Sequence, residues 1–482
     1  MKKLVLFSLI FIFTFSVPVL AMADVPYRGF TYDFWGYSVP APAAYVPAKS
    51  IDANQICETL GSFNMPQDLH VDINGNIYIA DTSNNRIVIF NRELELLNII
   101  DSFTMDGVEQ TFSFPQGVFV TRNLDIYIAD TENRRVVALD QDGNFLRINN
   151  GPDFGEIDDH FQFFPLKINV DNAGRQFVIV RGVFEGIMRF DPHGHFTGYF
   201  GTIHVSVSAA DWFWRLMATA EQRARQQLFI PTEFTGMDVD EYGFIFTTNL
   251  FTGEGDKVQR LNPSGENVLA NFTEQGIVGS VSYRAMGLFS GPSQFVDIVA
   301  RGNGMYTTLD RNRGRIYTYD REGNLLYVFG GAGNILGMQR IPTAVAMLDE
   351  TVLVLDQLRG EITFYEPTEL GSLINEAVAL LYDGDITRAV EMWHRVLEID
   401  ANYNMALIGV GRSLLAAGEN RLAMDYLRRG MDIEYYSIAF RRHRTDILRD
   451  NFHLIFFAVI VLPLIRPTIW VVKKSGKRVR TA

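Results

Sequence analysis

The chain has 482 residues, 47% of them hydrophobic, so it is long enough for two or three domains with well-filled cores. Its formal net charge is −13, and the acidic excess lies in residues 24–370, whereas residues 371–482 are net basic. An acidic surface repels nucleic acid, so nucleic acid is not expected as a partner. The only cysteine, Cys57, rules out a disulfide framework and a cysteine-rich metal site.

Residues 1–23 are predicted to be a secretion signal. Lys2 and Lys3 precede an apolar run over residues 4–20, and Ala21 and Ala23 supply small residues at a cleavage site, so the mature chain would begin at Asp24. The alternative is an uncleaved anchor helix. Export without disulfides favours a bacterial exterior.

Residues 24–54 are rich in Tyr, Pro and Ala, with six aromatic residues between positions 27 and 37. This is too aromatic for a free linker. We expect an ordered strap across the next domain, although a disordered recognition arm is the alternative.

A block recurs six times between residues 65 and 365, with an apolar strand after Pro, a turn, a run such as I-Y-I-A-D, and a third strand. A period of roughly 40–50 residues built of short alternating strands is typical of β-propeller blades. The fold class is therefore predicted to be mainly β, with a six-bladed propeller over residues 55–367. The clean copies begin at Met65 and Phe114, and degraded ones begin near Phe164, Phe234, Ser293 and Ile341.

The sixth copy lacks a fourth strand, because the pattern becomes helical after Tyr365. Residues 55–63, QICETLGSF, are predicted to supply that strand and close the ring, which would remove open sheet edges. Cys57 would then be a packed residue of the closing strand.

The segments NIYIADTSNNRIVIF and DIYIADTENRRVVAL resemble the core of NHL repeats. The resemblance is strong in copies one, two and five and poor in three and four. It implies a six-bladed propeller that serves mainly as a binding module.

Several polar residues of the repeats are predicted to be structural. Asp and Asn at such turns bond the local backbone, and a following Arg can brace the next turn. The residues concerned are Asp81, Arg86, Asp130, Arg135, Asp310, Arg315 and Asp356. The segments DINGN and DQDGN begin like calcium loops but lack the bidentate Glu, so hairpin turns are favoured and no metal or cofactor is predicted.

The alternative to a binding module is a metal-dependent hydrolase or lyase of the lactonase kind, with ligands on inner strands. The candidate ligands are His70, Asp68, Asp238 and Asp297. His193 and His195 lie in a DPHGH turn that is predicted to be a surface hairpin. No nucleophile motif is present, and we expect the protein not to be an enzyme.

Residues 208–230 interrupt the repeat and are predicted to form a helix with one apolar stripe. Trp212 and Trp214 cannot both lie on that stripe, so at least one is a candidate contact for a partner.

Residues 368–451 contain a second, helical repeat that resembles tetratricopeptide repeats. Gly384 and Gly418, like Ala389 and Ala423, are 34 residues apart. Small residues at these places are predicted to let helices pack closely. The resemblance implies peptide or protein binding, and a spacer is the alternative.

Residues 452–472 are apolar enough for a transmembrane helix, despite Pro463, Arg466 and Pro467, and residues 473–482 form a basic tail. The alternative is a hydrophobic docking helix. Together these features predict an exported, single-pass membrane scaffold that binds a protein or an extracellular glycan. An accessory subunit of a transporter or envelope complex is a further alternative.

Overall fold

The computed structural model describes residues 25–33, 37–153, 161–201, 233–250, 257–269, 279–280, 291–457, 459, 467 and 469–470. The chain divides into two compact units. One comprises Met1–Tyr32 and Ser38–Ser372, and the other comprises Asp33–Tyr37 and Leu373–Ala482.

The first unit is a six-bladed β-propeller with each described blade built as an antiparallel sheet. The strands before and in blades one and two are β1 (Phe30–Tyr32), β2 (Ser38–Pro40), β3 (Tyr45–Asp52), β4 (Asp68–Val71), β5 (Ile77–Asp81), β6 (Arg86–Phe90), β7 (Leu96–Ile100), β8 (Ser102–Met105), β9 (Val108–Thr111), β10 (Pro115–Val120), β11 (Ile126–Asp130), β12 (Arg135–Leu139) and β13 (Phe145–Asn149).

Blades three to six follow in chain order, and the described residues of blade four form three strands. These strands are β14 (Pro165–Val170), β15 (Gln176–Val180), β16 (Ile187–Phe190), β17 (Phe196–Phe200), β18 (Phe234–Val239), β19 (Ile245–Asn249), β20 (Val258–Leu261), β21 (Phe295–Ala300), β22 (Tyr306–Asp310), β23 (Arg315–Tyr319), β24 (Leu325–Gly330), β25 (Pro342–Leu348), β26 (Thr351–Asp356) and β27 (Glu361–Pro367).

The core lies between neighbouring blades rather than inside any one of them. Every residue of β5 and of β11 is buried, because a blade is covered on both faces by its neighbours. Ile79 of blade one, for example, shares a cluster with Leu355 of blade six. The β-branched runs of the sequence are therefore strands with two buried faces.

An N-terminal strand closes the ring, but it is not the predicted one. Strand β3 pairs with β27 from Tyr45 opposite Pro367 to Asp52 opposite Glu361. The prediction that residues 55–63 form this strand is wrong. Asp52 accepts a hydrogen bond from the backbone N–H of Gln55, and the Gln55 side chain accepts one from the N–H of Asp52, so a capping box ends the strand.

Residues 55–63 instead contribute to a short helix, α1 (Ala53–Ile56), and a 3₁₀ turn at Glu58–Leu60. Cys57 lies between the two, half-buried, and not on the closing strand.

The aromatic segment before β3 is an ordered part of the propeller unit. Strands β1 and β2 extend the sheet of blade five, where β1 pairs with β24. Tyr27, Phe30 and Tyr45 are buried. Strands β1 and β2 thus pair with blade five, and β3 pairs with blade six.

A hairpin that the sequence analysis did not predict lies between blades one and two. It joins β8 to β9 through Asp106 and Gly107, both with positive φ, as a type I′ turn requires. The sequence signal for this hairpin was the Asp-Gly dipeptide, which lies between two short segments of mixed apolar and polar residues.

The second unit is helical. The helices that follow the propeller are α2 (Glu369–Asp383), α3 (Ile386–Ile399), α4 (Asn404–Ala416), α5 (Asn420–Arg429), α6 (Ile433–Asp450) and α7 (Phe452–Phe456), and the second unit begins within α2, at Leu373. Helix α5 packs against both α4 and α6 around Leu415, Ala423, Leu427 and Ala439. Among the described residues, no helix has the length and apolarity needed to cross a bilayer.

The two glycines that are 34 residues apart occupy equivalent places in the structure, but their role differs from the predicted one. Gly384 and Gly418 have φ of +83° and +84°, and a Cβ at either would meet nothing within 4 Å. Each N–H completes a Schellman motif, to Leu381 and Leu415 respectively. These glycines end helices and are not points of close packing.

Close approach between helices occurs elsewhere. A Cβ on Gly409 would lie 2.5 Å from Trp393 Nε1, and one on Gly411 would lie 2.6 Å from Leu427 Cγ. Ala389 and Ala423 are fully buried in α3 and α5. Packing of this unit therefore depends on small residues in the middle of helices.

Candidate functional site: the channel of the propeller

The first strand of each blade lines the central channel, and their polar residues meet in one cavity. The cavity has a volume of about 970 Å³. The four candidates Asp68, His70, Asp238 and Asp297, which are far apart in sequence, all line it. The structure therefore brings together the residues singled out as possible channel ligands.

Lys167, on the first strand of blade three, lies between two of these carboxylates. Its Nζ is 2.9 Å from Oδ1 of Asp68 in blade one and 2.6 Å from Oδ1 of Asp297 in blade five. All three side chains are almost fully shielded from solvent. We call this group the channel triad, and it joins three alternate blades across the channel.

The carboxylates of the triad also bond the backbone of the following blade. Oδ2 of Asp68 accepts a hydrogen bond from the N–H of Val118, and Oδ2 of Asp297 accepts one from the N–H of Val345. The remaining lone pairs are thus partly satisfied, as buried charges require. The triad therefore fixes the inner strands relative to one another.

The electrostatics of the triad favour the charged form of Lys167 but raise the pKa of Asp297 above its ordinary value. Burial alone would lower the pKa of Lys167, but attraction by Asp297 and Asp68 outweighs it, so this pKa is raised. Burial raises the pKa of Asp297 to about 6, although the Lys167 ammonium opposes that rise. At neutral pH an ammonium therefore holds the carboxylates together.

Asp238 of blade four differs from the other two channel carboxylates. Its oxygens accept hydrogen bonds from the N–H groups of Val239 and Ala300, at 2.9 and 2.8 Å. Among the described residues it forms no ion pair, because Lys167 pairs with the other two. Burial in the wall of the cavity raises the pKa of Asp238 to about 7, and the two N–H groups oppose that rise.

His70 is the other titratable group of the cavity wall. Its ring lies 4.8 Å from the ring of Phe119, centroid to centroid. Burial lowers the pKa of His70 to about 4, although the carboxylate of Asp68 opposes that effect. His70 is therefore a neutral hydrogen-bonding group at physiological pH.

The rim of the cavity carries charges of both signs. Arg122 is exposed and Asp125 is half-buried on the hairpin after β10. Arg147 donates a hydrogen bond to the carbonyl of Pro192, 2.6 Å away. The cavity is thus lined by the ion-paired triad, by Asp238, and by a rim with charges of both signs.

The predicted turn residues lie outside the cavity lining. Oδ2 of Asp81 pairs with Arg86 Nε, and Oδ2 of Asp130 pairs with Arg135 Nε, both at 2.7 Å. Their Oδ1 atoms accept hydrogen bonds from Asn64 and Ser113, the backbone that precedes the first strand of the same blade.

Blades five and six vary this arrangement. Asp310 accepts a hydrogen bond from Ser293 and lies 3.7 Å from Arg313, whereas Arg315 donates to Ser280. In blade five the Arg that follows Asp310 by five residues therefore bonds a different segment, in contrast to blades one and two. Asp356 accepts hydrogen bonds from backbone N–H groups, including that of Leu358.

The turns that begin like calcium loops are closed by their own backbone. Oδ1 of Asp72 accepts hydrogen bonds from the N–H groups of Asn74 and Asn76, and Oδ1 of Asp140 bonds Asp142 and Asn144 in the same way. In the part of the chain that the structure describes, no group of three His, Cys, Asp or Glu side chains is placed to hold a metal ion.

His193 and His195 lie in the same kind of turn, on the surface, around Asp191. The predicted helix over residues 208–230 with Trp212 and Trp214, the predicted signal over residues 1–23 and most of the predicted transmembrane segment over residues 452–472 lie outside the described residues.

Sequence reasoning missed Lys167. The available signal was a lysine within the mainly apolar first strand, PLKINV, at the position that Asp68 and Asp297 occupy in blades one and five. A charge at an inward position of a buried strand implies a partner of opposite charge.

Fold and cavity together define a six-bladed propeller with an ion-bridged channel. The NHL repeat family matches residues 63–90. Comparison with curated proteins finds no matching sequence.

Solved structures resemble the chain at low identity. Virginiamycin B lyase from Staphylococcus aureus is 12% identical with a TM-score of 0.42, covering 66% of this chain and 99% of its own. A protein of unknown function from Bacteroides caccae is 11% identical, with a TM-score of 0.34 and coverages of 62% and 92%. A provisionally named gluconolactonase is 12% identical, with a TM-score of 0.41 and coverages of 67% and 94%. At these levels of similarity, no activity is assigned to this chain.

Proposed function

We propose that the chain is an exported, membrane-anchored binding scaffold and that the propeller recognises its ligand in the channel cavity. The observation that carries the channel assignment is the carboxylate of Asp238, which forms no ion pair among the described residues, in a cavity of about 970 Å³, a size suited to a small ligand or the end of a glycan. Asp68 and Asp297 already have a cation, so Asp238 is the group left to receive a positive or hydrogen-bond-donating ligand group.

The ligand chemistry follows from the charge of this carboxylate. A carboxylate binds an ammonium more strongly than a hydroxyl, because the hydrogen bond is charge-assisted. We therefore expect an amino sugar or a similar small amine to bind better than its neutral counterpart. Asn169 and His70 can add neutral hydrogen bonds from the same wall.

6-Amino-6-deoxyglucose, whose primary amine stays protonated at pH 8, and glucose form a matched pair that tests this proposal, and titration calorimetry at pH 8 should show about tenfold tighter binding of the amine. The preference should decrease at pH 6, because the pKa of Asp238 is about 7 and its protonated form carries no charge. Asp238→Asn should remove the preference, whereas Asp125→Asn on the rim should keep it. An equal affinity for both sugars at pH 8 would refute the assignment of Asp238.

A second candidate function is proton-transfer catalysis in the same cavity. A carboxyl group with a pKa of about 7 is present in both protonation states at neutral pH, which is what general acid–base catalysis needs. The metal-dependent form of this alternative requires a metal to displace Lys167 from Asp68 and Asp297. Stoichiometric calcium or zinc in the purified full chain would favour that form.

The proposed topology places residues 24–451 outside the cell and residues 473–482 inside. A cysteine introduced at Ser475 in a Cys57→Ser chain should not react with an impermeant thiol reagent in intact cells, whereas one at exposed Asn84 should. Labelling at position 475 in intact cells would make the last apolar segment a peripheral helix. Trp212 and Trp214 remain proposed contacts for a macromolecular partner.

A further inference from the structure

Helix α6 has one apolar face that no described element covers. Ile433, Phe440, Ile447 and Leu448 follow helical spacing and are 60%, 49%, 48% and 49% exposed. The opposite face is occupied, since Ala439 is fully buried with Leu415 and Leu427. Large side chains of this kind on one face mark an interaction surface.

The exposed apolar surface continues beyond the end of α6. Phe452, Leu454, Phe456 and Phe457 are all exposed in and just after α7. Residues 452–465 include no acidic or basic side chain other than that of His453. We call the exposed side of α6 together with these residues the α6–α7 face.

Two arginines lie on the same side of α6 as the apolar residues. Arg441 and Arg444 are exposed, and neither forms an ion pair within the described part of the chain. The other arginines of the helix are engaged, because Arg442 donates to the carbonyl of Leu415 and Arg449 pairs with Asp446. The face thus combines apolar side chains with two uncompensated positive charges.

The acidic residues of the helix leave the face net positive. Helical spacing places Asp446 and Asp450 outside the stripe formed by residues 433, 437, 440, 444 and 447, and Glu434, seven residues before Arg441, lies at the edge of the face. One carboxylate at the edge against two guanidinium groups leaves a net positive charge. This charge favours a partner that carries negative charge.

We propose that the α6–α7 face lies on the surface of an anionic lipid bilayer. Apolar side chains enter the boundary between headgroups and acyl chains, and Arg441 and Arg444 bind the phosphates, as in interfacial amphipathic helices. The uncharged aromatic run after α6 favours lipid over an acidic protein, which would be expected to present polar groups as well. This inference rests on the proposed membrane attachment and adds which part of the chain meets the bilayer.

A fluorescent probe tests the contact in the full chain. In a Cys57→Ser background, an environment-sensitive dye is attached to a cysteine at position 440 or, as the matched control, at position 445. Thr445 is exposed on the same helix but lies off the stripe. The protein is reconstituted into vesicles of phosphatidylcholine alone or with phosphatidylglycerol, and quenching by spin-labelled lipid is measured.

The probe at position 440 should be quenched by lipid in anionic vesicles and the probe at 445 should not. The double variant Arg441→Gln, Arg444→Gln should have an equilibrium constant for docking of the face on the bilayer that is about tenfold or more lower. Vesicles of phosphatidylcholine alone should lower this constant to a similar extent. Flotation of the same vesicles shows separately whether the protein is attached to the membrane.

Flotation with an unquenched probe at 440 would overturn the inference while leaving attachment intact, and absence of flotation would contradict the attachment itself. Protection of the probe that depends on protein concentration without lipid would instead assign the face to a second copy.

Discussion

Replacing Lys167 with Met should destabilise the propeller by about 3–5 kcal/mol at pH 7.5, because it leaves two buried carboxylates without their cation. Methionine keeps most of the aliphatic length of the side chain, so the loss reports charge and not an empty volume. Thermal unfolding followed by circular dichroism measures it. The channel triad joins blades one, three and five, so the loss of stability should appear in the main unfolding transition of the propeller.

The pH dependence of this loss has a definite sign. A carboxyl group whose folded-state pKa is raised contributes stability at low pH that disappears as pH rises through that pKa. The pKa of Asp297 is about 6 with Lys167 present, and removing the ammonium must raise it further. The difference between the Lys167→Met variant and the parent protein should therefore shrink from pH 7.5 to pH 5.

The control is a triple variant, Lys167→Met with Asp68→Asn and Asp297→Asn. It carries no buried charge in the triad, so it should recover much of the lost stability at pH 7.5. The loss of stability could instead be equal at pH 5 and pH 7.5, and the triple variant could fail to reduce it. That result would show that packing and not charge dominates at this position.

The blades were predictable because their strands are dictated locally. Segments such as Ile77–Asp81 are β-branched and apolar, with turns on both sides, and the structure has the predicted strands there within a residue or two. The closing strand was not predictable in the same way. Tyr45–Asp52 contains Pro, Ala, Lys and Asp, which strands disfavour, and its conformation comes from pairing with β27.

The channel site was predictable only in part. Asp68, His70, Asp238 and Asp297 stand out because each interrupts an apolar strand at an inward position. The partner of two of them, Lys167, is 99 residues from Asp68 and 130 from Asp297, so only the closed ring reveals the pairing. Local pattern identified the polar positions, and tertiary geometry decided that one carboxylate, Asp238, remains without a cation.

Removal of the closing strand should have the second large effect on stability. A chain that begins at Ala53 lacks β3 and exposes the edge of β27, whereas a chain that begins at Ala41 lacks β1 and β2 but keeps β3. Loss of β3 removes a ladder of hydrogen bonds worth about 1 kcal/mol each and the fully buried ring of Tyr45. We expect a total loss of about 5 kcal/mol or more.

Tyr45 makes this strand more than a sheet edge. Its ring stacks on Phe329 at 4.7 Å between centroids, and its hydroxyl accepts a hydrogen bond from Arg301, so β3 also ties blade six to blade five. The chain that begins at Ala53 should therefore melt at a much lower temperature and aggregate through the open edge of β27, since unpaired edges bind other strands. The chain that begins at Ala41 should lose less and stay monomeric by light scattering. Equal melting temperatures for the two truncated chains would show that β1 and β2, and not the ring-closing pair β3–β27, supply the stability of the N-terminal segment.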